Sequence, residues 1–119
     1  MRSTDSGTAV RGRTEVPALF LVESQGGTVS RFLRTARHLA AAMRTPTDVF
    51  LIDDGVSLAV DASSDVAGVL GAGGRVWADV VSLSERGIKA DELAPGVVVT
   101  GLDAVAEPLF DPAVRVVWH

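Results

Sequence analysis

Ala18-Leu19-Phe20-Leu21-Val22 runs apolar without a break and stops at Glu23. A stretch of this length with no polar alternation suits a strand buried on both faces, as in a parallel sheet covered by helices. The signature returns at Val49-Phe50-Leu51-Ile52, at Val76-Trp77-Ala78, at Val97-Val98-Val99-Thr100 and at Val114-Arg115-Val116-Val117-Trp118. Helical spacing fills the gaps between these runs. Val29, Phe32, Leu33, Ala36, Leu39, Ala40 and Met43 form one stripe on a wheel of about 100° per residue. Arg31, Arg34, Arg37 and Arg44 fall on the other side, a solvated helix face. Thr28 is the predicted N-cap, and Pro46 lies just beyond the helix end.

Helical pieces are predicted over residues 56–60 and 66–70, and Gly71-Ala72-Gly73-Gly74 ends them. A short helix over residues 82–86 is stopped by Gly87, and a last helix runs from Leu102 to Leu109 with Asp103 near its start. Strand and helix alternate throughout. That pattern calls for right-handed crossovers and predicts a three-layer α/β/α sandwich around a mainly parallel five-stranded sheet, of flavodoxin-like size. Residues 1–15 are rich in Ser, Thr, Gly and Arg and read as a disordered tail; residues 16–119 read as a single domain.

Composition narrows the function. The 119 residues are 47% hydrophobic and 22% charged, and no apolar run is long enough to cross a bilayer. Neither nucleic acid nor a membrane is an expected partner: 11 basic against 15 acidic side chains give a net charge of −4, where nucleic-acid binders carry a basic face. The absence of a secretory pattern sets the expected location as the cytoplasm. There is no cysteine, which excludes disulfides, thiolate metal sites and thiol catalysis.

In such sheets ligands bind at the carboxyl ends of the strands. Those ends carry Glu23 to Gly27, Asp53 to Gly55, Asp79 to Ser82, and Thr100-Gly101. Gly26-Gly27 sits between a strand and a helix start, where backbone amides either hold an anion or make a tight turn. The sequence there is neither a P-loop nor a dinucleotide fingerprint. Glu23, Asp53, Asp54 and Asp79 invite comparison with the Mg²⁺ site of receiver domains. The match fails, because the paired acids follow the second strand and the sole lysine, Lys89, is far from the last one. No metal and no cofactor is expected. His38 and His119 read as surface or edge residues, and Trp77 and Trp118 as core or interface residues.

A family resemblance rests on three features. The third strand, Gly74 to Asp79, leads into Ser82-Leu83 and then Arg86-Gly87-Ile88; Asp54-Gly55-Val56 closes the second strand; and Gly96-Val97-Val98-Val99-Thr100-Gly101-Leu102-Asp103-Ala104-Val105-Ala106-Glu107 follows. Residues 17–118 resemble the DsrE/DsrF/DsrH family, most nearly DsrE and its relative TusD. The resemblance implies a five-stranded α/β/α domain that assembles as trimers or hexamers, or with related family subunits, and works in sulfur relay. It also implies a persulfide-carrying cysteine at the end of the third strand. Counting back from Arg86-Gly87, that position falls at Asp79, and a carboxylate cannot carry a persulfide.

The expectation is therefore a non-catalytic family member, an oligomeric subunit or small-ligand-binding domain in a sulfur-relay-related complex. Its ligand cleft would be lined by Gly26, Gly27, Asp54, Asp79 and Ser82. Asp79 would bind a ligand there or simply cap the short helix. The alternative is a non-thiol enzyme in which Asp79, with Glu23 or Asp54, acts as base or metal ligand.

Overall fold

The computed structural model describes residues 18–27, 30–60 and 64–119. The predicted tail, Thr28 and Val29 lie outside them, as do residues 61–63 between two of the predicted helical pieces. The chain runs β1 (Ala18–Glu23), α1 (Arg31–Ala42), β2 (Thr47–Leu51), a 3₁₀ segment (Asp53–Ala59), α2 (Ser64–Gly71), β3 (Val76–Asp79) and α3 (Val80–Glu85). A 3₁₀ turn (Ala90–Glu92), β4 (Val98–Thr100), α4 (Leu102–Phe110) and β5 (Val114–Trp118) complete it. The five strands form one sheet in the order β4-β3-β2-β1-β5, and every pair is parallel.

Handedness distributes the helices. From β1 to β4 the chain steps across the sheet in one direction, so right-handed crossovers put α1, α2 and α3 on one face. From β4 to β5 it returns past β1, which puts α4 on the other. The core divides accordingly. On the first face Leu19, Leu21, Val49, Leu51, Val76 and Ala78 pack with Leu33 and Ala40 of α1, Val66 and Val69 of α2 and Leu83 of α3. On the second, Phe20, Val22 and Phe50 pack with Val105 of α4, and Trp77, Val114 and Val116 border them. The sandwich has three layers as expected, but three helices cover one side and one covers the other.

Two details of α1 differ from the sequence reading. The predicted stripe is rotated. Leu33 and Ala40 are buried, whereas Leu39 is 57% exposed and Met43 50%. On a wheel Leu39 lies about 110° from the Leu33–Ala40 direction and Arg37 only about 50° from it. The rotation is toward α2, so Arg37, predicted to be solvated, is half-buried, and Arg34 stays exposed but gains a partner. Arg34 Nε donates to the buried Asp65 at 3.3 Å. Arg37 lies so close over Gly68 that a Cβ there would meet its Nε at 2.7 Å. The cap also lies further along than the sequence suggests: Ser30 Oγ accepts from the Leu33 amide at 3.1 Å.

Glycine sets the spacing at the sheet ends. A Cβ on Gly55 would stand 2.1 Å from the Glu23 carbonyl oxygen, which itself accepts from the Ile52 amide at 3.0 Å. Gly71, at the end of α2, has open space around it. Gly55→Ala is therefore expected to lower stability by about 2 kcal/mol or more through overpacking. Gly71→Ala is expected to be neutral or to stabilise by up to about 1 kcal/mol by restricting the unfolded chain. Urea unfolding of the two variants checks both, and equal midpoints would contradict the close approach.

Candidate functional site

The carboxyl ends of β1, β2 and β3 carry the residues singled out by sequence. The loop after β1 lies on the loop after β2. A Cβ on Gly26 would meet the Asp54 carbonyl oxygen at 2.5 Å and Ser57 Oγ at 2.8 Å, so only glycine fits there. Gly27 adopts φ 119°, and its amide donates to Ser57 Oγ at 3.1 Å. Ser57 Oγ in turn donates to the Asp54 carbonyl at 2.9 Å. Of the two sequence readings of Gly26-Gly27, the tight turn has a full structural account, since the Gly27 amide is already engaged.

Asp53 closes β2 in the left-handed region, φ 50°, which Asp tolerates better than most residues. Its amide donates to Ser82 Oγ at 2.9 Å. Ser82 Oγ donates to Asp79 Oδ2 at 2.6 Å, and the same oxygen accepts from the Ser82 amide at 3.0 Å. Asp79 is thus the N-cap of α3, and through the buried Ser82 it holds the end of β2 against the end of β3. Arg86 adds a second tie. Its Nε and one terminal nitrogen reach Asp54 Oδ1 at 3.0 and 2.9 Å, and the other terminal nitrogen reaches the Ser82 carbonyl at 3.3 Å.

These ties border an open groove of ≈ 490 Å³, lined by Gly26, Gly27, Asp54, Ser57, Arg86 and Ile88. Three of the five predicted ligand residues, Gly26, Gly27 and Asp54, line it. Asp79 and Ser82 are its neighbours, joined to it through Arg86. Sequence reasoning missed Ser57 and gave Arg86 only a motif role. The guanidinium meets Asp54, 32 residues away, and no local pattern announces such a pairing.

Glu23 does not face this groove. It is fully buried at the end of β1. Its carboxylate accepts from the Gln25 amide at 3.0 Å, from Ser30 Oγ at 3.3 Å, and from His119 Nδ1 at 2.8 and 2.9 Å. His119, expected at an edge with no special partner, is clamped there. Its amide donates to the Val22 carbonyl at 2.9 Å, and its carbonyl accepts from the Ser24 amide and hydroxyl. The imidazole stacks on Phe32, with ring centroids 4.6 Å apart. The carboxylates named for an enzyme are therefore held apart by separate partners: His119 for Glu23, Arg86 for Asp54, Ser82 for Asp79. Among the described residues no three His, Cys, Asp or Glu side chains gather as a metal site. Among them, too, no helix is long and apolar enough to cross a membrane.

A five-stranded parallel sheet in this order, with a capped turn at the end of β3, defines an open α/β/α domain of the DsrE type. The chain belongs to the DsrE/DsrF-like family, whose model matches residues 18–118. Two solved structures share the fold. One is the ychN protein from E. coli, at 19% identity and a TM-score of 0.69, aligned over 87% of this chain and 99% of that one. The other is MTH1491 from Methanobacterium thermoautotrophicum, a protein of unknown function, at 21% identity and a TM-score of 0.69 over 87% and 98%. No curated protein matches the chain.

If Asp79 acts as the cap, Asp79→Ala is expected to cost about 1 kcal/mol, while Asp79→Asn, another strong capping residue, loses only part of that. Urea midpoints of the two variants give the comparison. An alanine variant as stable as the parent would remove the capping role.

Proposed function

We propose that this chain is a non-catalytic DsrE-family protein, acting in the cytoplasm as an oligomeric subunit or small-ligand-binding domain of a sulfur-relay-related complex. The observation that carries the proposal is what stands at the end of β3. The family resemblance puts a persulfide-bearing cysteine there. This chain has Asp79, and the carboxylate is occupied in capping α3 and holding Ser82. No cysteine elsewhere substitutes for it. Sulfur transfer proceeds through a thiolate, so a chain without one contributes binding or assembly instead.

Assembly is supported by the apolar side chains near β4. Val80 and Val81 open α3, Val98 and Val99 lie on β4, and Leu102 begins α4. All five are exposed. β3 and β4 pair with Asp79 opposite Thr100, so Val80, Val81 and Leu102 follow neighbouring strand ends. β4 is also a free sheet edge, a place where chains pair unless it is protected. The binding role is supported by the groove beside Arg86. The Arg86 guanidinium there already meets two carboxylates, Asp54 at 2.9 Å and Glu85 at 3.6 Å, which favours a polar or cationic ligand over an anion.

Native mass spectrometry of the protein purified from its source reads stoichiometry, co-purifying subunits and retained ligand together. The expected result is a trimer, a hexamer or a hetero-oligomer. Val81→Asp, on an exposed position, is expected to lower the stoichiometry while circular dichroism stays unchanged. A monomer at micromolar concentration with no bound ligand would refute the proposal.

A further inference from the structure

Glu23 and His119 lie where the strand order reverses. β1 is followed in space by β2 on one side and by β5, last in the chain, on the other. In open parallel sheets the crevice at such a reversal is the place where ligands bind. Here the end of that crevice is occupied by one imidazole held on a fully buried carboxylate, 96 residues away in sequence.

The hydrogen-bond directions determine which tautomer the neutral ring adopts. The Glu23 carboxylate can only accept. The Gln25 amide, the Ser30 hydroxyl and His119 Nδ1 all converge on it, so Nδ1 carries the hydrogen. The neutral ring then has its lone pair on Nε2. No described residue supplies Nε2 with a partner, and the His119 side chain is half exposed. Phe32 covers one ring face and the backbone of residue 119 is tied to Val22 and Ser24, so the ring is fixed in place. Behind Ser30, whose amide donates to Asp65 at 2.8 Å, stands the Asp65–Arg34 pair. A carboxylate that orients an imidazole and leaves its far nitrogen bare is the arrangement that presents a proton acceptor.

We propose that the Glu23–His119 pair is a binding site at the β1/β5 reversal. There Nε2 accepts a hydrogen bond or proton from a small ligand bearing an acidic O–H, N–H or S–H group. Glu23 is the positioning residue and His119 the contacting one. This site is separate from the groove beside Arg86, and its test does not depend on that groove or on oligomeric state.

The chain has two histidines, so His38→Gln, on the exposed face of α1, assigns their signals. Long-range ¹H–¹⁵N spectra of the full chain, at a pH where the ring is neutral, report which nitrogen carries the hydrogen. The expected spectrum has it on Nδ1 of His119. Diethyl pyrocarbonate is the probe of the bare nitrogen. It is expected to modify His119 severalfold faster than His38, and Glu23→Gln is expected to remove both that excess and the tautomer preference. Hydrogen on Nε2 in the parent protein, or a His119 rate at or below that of His38, overturns the proposal. The parent spectrum and rates decide the matter even if Glu23→Gln fails to fold.

Discussion

Right-handed crossover is the constraint on which the rest of this structure depends. A parallel sheet built by stepping three times in one direction, from β1 to β4, must place every connecting helix on the same side. One return past β1 then places a single helix on the other. The uneven cover follows directly. Three helices and a 3₁₀ segment bury the first face, while α4 alone shields Phe20, Val22 and Phe50 on the second. Arg75 completes that cover locally, standing 5.3 Å over the Trp77 ring while its head pairs with the buried Asp48. The apolar side chains left in solvent concentrate where the cover ends: on β4, at both ends of α4, and at Trp118, which is 63% exposed.

The carboxyl edge of the sheet is wired by polar groups. One chain runs from the Asp53 amide through Ser82 to Asp79, and another from Asp54 through Arg86 to the Ser82 carbonyl. A third joins Arg34, Asp65, Ser30, Glu23 and His119. Buried polar groups are tolerated when each has its partners, and such networks then fix one arrangement of the surrounding loops. Asp79 belongs to this wiring. Its carboxylate is a structural acceptor, taking hydrogen bonds from the Ser82 amide and hydroxyl.

Much of this was legible in the residues. The five apolar runs became the five strands, and the helices between them appeared close to their expected bounds. Gly26, Gly27 and Asp54 were placed at one groove because strand ends converge in any parallel sheet. The capping role of Asp79 was one of two readings open in the sequence, and it holds because α3 starts at Val80, two residues before its expected start. The rotation of α1 was not legible, because a helical wheel shows a stripe but not the neighbour it turns toward. Arg37 looks solvated until α2, with Gly68, lies beside it, and Arg34, though exposed, looks unpaired until Asp65 does.

By itself, then, the amino-acid order determined the strand count, the layer type, the family likeness and the closure of thiol chemistry, since each depends on local periodicity, short motifs or residue presence. The tertiary structure alone decided that His119 meets Glu23, that Arg86 meets Asp54, and that one sheet face is thinly covered. These are contacts between residues far apart in the chain. Their existence depends on strand order and crossover hand, and neither quantity is written in any local stretch of sequence.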